Sequence, residues 1–505
     1  MSSDAVTYDP YALPPDAVLE PPATTWEALR KIGPGIILAG TIVGSGELIL
    51  TTSLGAKNGF VFLWLILFSC VIKVFIQIEL GRYAISSGRP TLGALNELPG
   101  RTGLGHPLVW WWFLMMLCTV FQLGGMTGGI GQALNLAFPS LCNGTAEAIA
   151  RVSPGLGQYV RERPEFPWAV LTCFVTMGLI YHGSYRRIEW LTTFIVVSVT
   201  LITVTAAVAL GWTDYPVRAV DMAEGMKLKV PSDGLWTAIA VFGITGVGAT
   251  ELFYYPYWCL EKGYARFTGR AEETEAWANR ARGWIRVMHL DAWVSMVVFT
   301  VSTVAFYIMG AAVLHPQGLH PEKAELIDTL SKMFIGPFGA WTRTLFLIGA
   351  CAVLFKTLYL SCAANSRLTA DFLTLTGIAP SPTAPQRVRM IQRFCLVFPM
   401  LALVFYIVAR DPQLMVKFGG IAQAVTLPMI ALVAVYFRYR KVDRRLQPWP
   451  ITDLLIWVAV VSIVVVGAFA IFDNARQLAQ LLTAPAAAPT EVVAPPNPAP
   501  APASK

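Results

Sequence analysis

Two glutamates in this chain each follow a cluster of glycines inside an otherwise apolar stretch. Residues 40–52 read GTIVGSGELILTT, with Glu47 directly after Gly44-Ser45-Gly46; residues 242–260 read FGITGVGATELFYYPYWCL, with Glu251 after Gly243, Gly246 and Gly248, and Pro256 beyond. A carboxylate at membrane depth costs about 3 kcal/mol on insertion scales, so it needs a partner, a cavity or a ligand. Glycines can unwind a helix and free backbone carbonyls and amides, which lipid cannot satisfy but a buried ion or a water-filled cavity can. Glycines also permit close helix packing, yet two such clusters, each ending in an acid, favour a site. Gly46, Gly246 and Gly248 are the expected break points.

Other charges lie within apolar stretches. Lys356, in CAVLFKTLYLSCAANSR, is flanked by apolar residues on both sides and is a candidate partner for Glu47 or Glu251. Lys73 is expected to snorkel along its apolar stem. Glu79 beside Arg82, and Asp371 beside Arg367, are expected to form interfacial ion pairs, and Asp291 falls near the start of a further apolar run.

The elements that must position these residues are membrane helices. The 505-residue chain is 55% hydrophobic and only 14% charged, with mean hydropathy +0.56, against roughly 25% charged residues in soluble domains. Runs of about 20 apolar residues, enough to cross a bilayer, predict an all-α, polytopic integral membrane protein. Eleven spans are expected, at about 34–55, 59–82, 108–138, 167–184, 188–211, 235–260, 288–314, 340–373, 390–409, 413–437 and 451–473. The broken first and sixth lie five spans apart, the pointer to an inverted repeat around a midplane site. The domain reading is a polar segment over 1–32 and a transporter domain over 33–473. That domain divides into repeats at about 33–211 and 235–437 and an extra helix at about 451–473, with a disordered Pro/Ala-rich tail over 484–505.

The N-terminal segment has no basic region followed by an apolar core, so it does not read as a signal peptide. Basic residues mark the cytoplasmic loops. Arg89, Arg101, Arg186, Arg187, the basics from Lys262 to Arg286, Arg387, Arg389 and those from Arg438 to Arg445 fall on one side if the N-terminus is cytoplasmic, in a plasma (inner) membrane. They account for the +7 formal charge, so no nucleic-acid partner is implied; the lipid bilayer is. The eight cysteines form no CxxC pair, and no HExxH, GxSxG or P-loop occurs in a usable context, so no enzyme and no resident cofactor is expected. Nothing in the sequence points to an oligomeric state.

The stretch KIGPGIILAGTIVGSGELILTTSLGAKNGFVFLWLILFSCVIKVFIQIELGRYAISSGRPTL resembles the opening helices of the Nramp family of divalent-metal transporters. GATELFYYPYW, RVMHLDAW and IAQAVTLPMIAL fall where that family has its sixth, seventh and tenth helices, and the likeness runs from about residue 31 to 473. It implies an inverted five-helix repeat of the LeuT type with discontinuous first and sixth helices, followed by one or two extra helices, and a divalent cation as transported substrate.

The departures bear on which ion. Where the family has Asp-Pro-Gly-Asn, this chain has Gly44-Ser45-Gly46-Glu47, so the metal-binding aspartate is absent and Glu47 holds the asparagine position. Ala249 aligns with an alanine whose carbonyl binds metal, while Leu252, Phe253 and Tyr254 replace Met-Pro-His, with Glu251 one residue earlier. Thr426 aligns with a ligand glutamine, and Gln423 is the nearest amide. The resemblance thus implies a binding set of Gly44, Glu47, Ala249, Thr250, Glu251, Gln423 and Thr426, in which oxygen has replaced sulfur and imidazole. Such a set suits hard ions, and Mg²⁺, which dehydrates reluctantly, could be held partly hydrated; Mg²⁺ or Mn²⁺ is favoured over Fe²⁺, as in the magnesium-transporting branch. The third span has no Asp, Glu, His, Lys or Arg, so weak or absent proton coupling through it is expected. The alternative is a carrier of an organic cation or amino acid on the same fold, with the Phe253 to Trp258 aromatics stacking on the substrate.

Overall fold

In a bilayer every backbone polar group must be paired within the protein, which leaves helices as the means of crossing for a chain whose described residues form no closed sheet. The computed structural model describes residues 11–483 apart from 140–143, 145–146, 148–149, 152, 182–184, 232–233 and 449; the Pro/Ala-rich tail over 484–505 lies outside the described residues. Numbering the crossing helices and half-helices in chain order gives α1 (Pro34–Ile42), α2 (Thr52–Asn58), α3 (Leu63–Ser87), α4 (Pro107–Ala137), α5 (Phe166–Tyr181), α6 (Tyr185–Ala209) and α7 (Leu235–Ile244). They continue with α8 (Ala249–Lys262), α9 (Glu275–Met309), α10 (Thr342–Leu375), α11 (Ala384–Ala409), α12 (Pro412–Arg440) and α13 (Pro450–Thr483).

With α1–α2 and α7–α8 each taken as one crossing, nine helices among the described residues are long and apolar enough to span a membrane. Phe166–Tyr181 and Val197–Trp212 are shorter apolar helices at the fourth and fifth expected spans. The two interrupted crossings are the most enclosed, with 94% and 89% of their apolar windows buried, against 33% for α11 and for Pro450–Phe472. They therefore form the centre of the bundle. Helices α4, α10 and α12 pack around them, α12 touching both α4 and α7, and α9 packs on α3.

The two interruptions differ in kind. Helix α1 stops at Val43 (ψ 78°), and the chain resumes through a π-helical turn, Gly46–Thr51, that runs into α2. Helix α7 stops at Ile244; Thr245 is extended (ψ 136°), Gly246 has φ 65°, and Gly248 is the extended cap from which α8 starts. The first is a kink and the second a true unwinding. Gly246 is required twice over, because φ is left-handed and a Cβ there would lie 2.8 Å from the Cys70 Cα.

Charged residues fasten the bundle at the helix ends. Asp291 on α9 accepts from the amides of Gly33 (2.9 Å) and Gly35 (2.6 Å) and from the Tyr255 hydroxyl (3.1 Å), placing a carboxylate at the positive N-terminal end of α1. Glu79 pairs with Arg82 (3.3 Å) as expected and also with Arg438 (3.0 Å), which reaches Asp453 (2.7 Å). The expected Asp371–Arg367 pair is not the one formed. Arg367 stacks over Trp258 and bonds Glu261 of α8 (2.5 Å), while Asp371 takes Arg387 (3.0 Å) and the Tyr11 hydroxyl (2.7 Å). The Arg367 guanidinium lies on the Trp258 ring of α8, which places it beside Glu261 of the same helix and away from its neighbour Asp371.

Gly246→Ala combines a left-handed φ with a steric contact and is expected to destabilise by about 1–2 kcal/mol or more. Gly178→Ala, inside α5 with nothing within 4 Å of the added methyl, is expected to keep stability or raise it by up to about 1 kcal/mol. Thermal midpoints of the two variants in detergent check this.

Candidate functional site

Each break is followed by an acid at the same spacing, Gly44-x-x-Glu47 and Gly248-x-x-Glu251. This is the reach-back geometry of a capping box, in which the carboxylate at the third helical position bonds an amide left free at the start of the helix. Glu47 follows it: Oε2 accepts from the Gly44 amide at 3.1 Å and Oε1 from the Thr303 hydroxyl on α9 at 3.3 Å. The residue is fully buried. Glu251 is likewise approached by the Gly248 amide, and in addition by the Thr41 hydroxyl of α1.

A small cavity lies between the breaks and helices α4, α10 and α12, with about 20 Å³ open to the centre of a water-sized sphere, room for about one water molecule or one bare metal ion. Of the expected binding residues, Thr250, Glu251 and Gln423 line it, and so does the break residue Gly46. Gly248 sits where an added Cβ would meet Gln423 Oε1 at 2.5 Å and Glu251 Oε2 at 2.7 Å, so both oxygens crowd one point above the second break. Gly44, Glu47, Ala249 and Thr426 are not in the lining. Glu47 is spent on its own helix start and on α9, so the two glutamates do not face each other across the cavity. Gly44 lies against the Thr357 side chain. Thr426 bonds the Ala422 carbonyl (2.9 Å) and accepts from the Trp111 indole (3.1 Å), which turns it toward Trp111 of α4.

The lysines meet backbone carbonyls at the breaks. Lys356 reaches the first break, where its charge acts on Glu47 through space while its Nζ donates to the Val43 carbonyl at 2.7 Å. Lys73 does not snorkel. It is fully buried, and its Nζ donates to the carbonyls of Phe242 (2.6 Å) and Thr245 at the end of α7. Helix unwinding explains both, since each ammonium meets a carbonyl that has lost its intrahelical donor.

The lining includes residues outside the expected binding set. Thr41 and Ser45 come from the first crossing, Thr119 and Gln122 from α4, Tyr254 from α8, and Thr357, Ser361 and Asn365 from α10. The last three are spaced by four, a polar stripe along one helix face that the sequence displays. An amide relay runs through the site. Gln423 Oε1 accepts from the Thr250 amide (3.2 Å), Gln423 Nε2 donates to Gln122 Oε1 (3.2 Å), and Gln122 Nε2 donates to Ser45 Oγ (3.4 Å). Two polar atoms in the lining residues, Thr250 Oγ1 and Asn365 Nδ2, are buried without a hydrogen-bond partner, an arrangement that calls for a ligand or water. Met126 also contributes to the wall, so the lining is not all oxygen. Among the described residues no group of three or more His, Cys, Asp or Glu side chains converges; the cavity offers one carboxylate surrounded by hydroxyls and amides.

Since Glu47 completes its helix start and Glu251 faces a cavity, their removal should differ. Glu47→Ala is expected to cost about 1–3 kcal/mol by orphaning a buried amide and to lower the thermal midpoint clearly, whereas Glu251→Ala should lower it less, because a water in the cavity can take the place of the carboxylate beside the Gly248 amide.

Residues 35–473 match the family model described as natural resistance-associated macrophage protein-like. The chain is similar to the divalent metal cation transporter MntH of Caldanaerobacter subterraneus subsp. tengcongensis, at 21% identity over 329 residues, 64% of this chain and 67% of that one. It is also similar to an uncharacterized protein of Pasteurella multocida, at 21% identity over 460 residues, 90% and 94% of the two chains. Among solved structures, a mutant manganese transporter of Eremococcus coleocola superposes with TM-score 0.66 at 14% identity, covering 92% of this chain and 90% of that one. A nucleobase-cation-symport-1 family transporter in a closed conformation gives TM-score 0.52 at 14% identity, covering 88% and 93%. These likenesses show the fold, which is the LeuT-type arrangement expected from the sequence.

Proposed function

The chain belongs to the natural resistance-associated macrophage protein-like, or Nramp, family, and from that premise we propose that it carries a divalent metal cation through the cavity between its two broken helices. The observation that supports this most is the pairing of one cavity-facing carboxylate, Glu251, with orphaned polar atoms of Thr250 and Asn365 in the same wall. Thr250 Oγ1 and Gln423 Oε1 can approach a cation directly. Asn365 Nδ2, a donor, cannot; it can hold a water that the ion retains.

A lining with one carboxylate, several hydroxyls and amides, one thioether and no imidazole or thiolate suits a hard ion. Mg²⁺ or Mn²⁺ is favoured over Fe²⁺, with part of the hydration shell kept when the site is open. Glu251, Thr250 and Gln423 are the binding residues in this reading, and Glu47, Gly44 and Lys356 hold the first break in shape. Proton coupling is weak or absent, because α4, whose Thr119 and Gln122 border the cavity, carries no titratable carboxylate, imidazole or ammonium between Pro107 and Ala137. The protein sits in a plasma (inner) membrane with its N-terminus cytoplasmic, as the basic loops direct. An organic cation or amino acid as substrate is disfavoured by the small size of the cavity.

Uptake into proteoliposomes tests the proposal. Mg²⁺ and Mn²⁺ should enter and amino acids should not, and Glu251→Gln should lower cation uptake about tenfold or more, corresponding to a loss of about 1.4 kcal/mol or more. Uptake by Glu251→Gln equal to that of the parent protein would sink the assignment. A pH-sensitive dye in the same vesicles should report no metal-dependent acidification; a robust signal would contradict the coupling proposal alone.

A further inference from the structure

Lys73 stands outside the cavity, and the transport reading does not use it. Its ammonium is fully buried on α3 and rests on the end of α7, donating to the Phe242 and Thr245 carbonyls, with the Phe242 ring 4.9 Å away. One helical turn earlier, the Ser69 hydroxyl contacts the same two carbonyls, at 3.4 and 3.2 Å. Two backbone carbonyls and an aromatic face converge on a positive charge, with a hydroxyl bonded to the same two carbonyls beside it, the kind of neutral oxygen cluster that elsewhere replaces the hydration shell of a monovalent metal ion. The carbonyls are available because the unwinding at Thr245 removes the amides that would have bonded them, and they carry the negative end of the α7 dipole. The first crossing repeats the arrangement on a smaller scale, with the Lys356 ammonium on the Val43 carbonyl at the end of α1. Two lysines on different helices, each seated on the carbonyl end of a half-helix, are placed by the breaks.

We propose that the oxygen cluster of Phe242, Thr245 and Ser69 is a monovalent-cation site whose resident cation is the Lys73 ammonium, so that K⁺ or Na⁺ occupies it only when that ammonium is removed. The site is separate from the Glu251 cavity, and the proposal does not depend on which substrate is carried.

Thermal midpoints of the full chain in detergent, measured in KCl, NaCl and choline chloride at equal ionic strength, test it without reading transport. The parent protein should give one midpoint in all three salts. Lys73→Ala, which vacates three methylenes and the ammonium, should be least stable in choline and recover by about 3 °C or more in KCl or NaCl, because an ion that binds the folded state alone raises its stability. Lys73→Met, which refills the space without charge, should be low in all three. Identical midpoints for Lys73→Ala in the three salts would overturn the proposal, as would a K⁺ or Na⁺ response in the parent or an equal response in Lys73→Met. If Lys73→Ala is not recovered folded in any salt, Lys73→Ser, which leaves a small hydroxyl beside the carbonyls, carries the same comparison with the same outcomes.

Discussion

Backbone amides and carbonyls that leave a helix inside a membrane have no solvent to turn to, and each one left bare costs several kcal/mol. That constraint governs the centre of this protein. Its two interrupted crossings are also its most enclosed ones, because a break is tolerable only where other helices can reach it. The chain supplies the missing partners itself. At the first break Glu47 takes the Gly44 amide and Lys356 the Val43 carbonyl; at the second, Glu251 faces the Gly248 amide and Lys73 holds two carbonyls. Each broken helix thus has an acid on its amide end and a base on its carbonyl end, the signs that complement the helix dipole.

This arrangement shapes what the cavity can offer a substrate. Of the four buried charges at the breaks, only Glu251 lines the cavity, and the remaining wall is made of hydroxyls, amides and apolar side chains. In the proposed reading the single carboxylate holds a hard cation by charge, and the hydroxyls and amides hold the water around it by hydrogen bonds. Carriers need binding favourable enough to load and weak enough to release, which that reading assigns to a neutral, hydroxyl-rich wall around one acid. The Gln423–Gln122–Ser45 relay ties three crossings to the same few cubic ångströms, so a shift of α4 or α12 alters the wall directly.

Much of this was legible in the sequence. Nine of the eleven apolar runs correspond to helices long enough to cross among the described residues, with shorter apolar helices at the other two, and the glycine clusters located both breaks, the second because Gly246 fits the left-handed turn beside Cys70. The positions of Glu251, Thr250 and Gln423 in the wall followed from the second cluster and the family likeness. What escaped were matters of direction. Glu47 and Glu251 share a spacing, yet the first crossing only kinks through a π turn while the second unwinds, so the first carboxylate ends against α9 and the second in the cavity. Lys73 looked like a residue reaching for the interface because its partners are backbone carbonyls of a helix far away in sequence, which no side-chain pattern displays. The Thr357, Ser361 and Asn365 stripe was visible as a spacing of four, though its facing toward the breaks depends on how α10 packs.

In the proposed reading Glu251, not Glu47, meets the substrate, and a crystal structure of the protein soaked in Mn²⁺, with anomalous scattering at a wavelength sensitive to manganese, decides between the two carboxylates. One anomalous peak is expected in the cavity beside the Glu251 carboxylate and within reach of Thr250 and Gln423. A peak seated on Glu47 with none at Glu251, or no peak between the broken helices at saturating Mn²⁺, would contradict that reading.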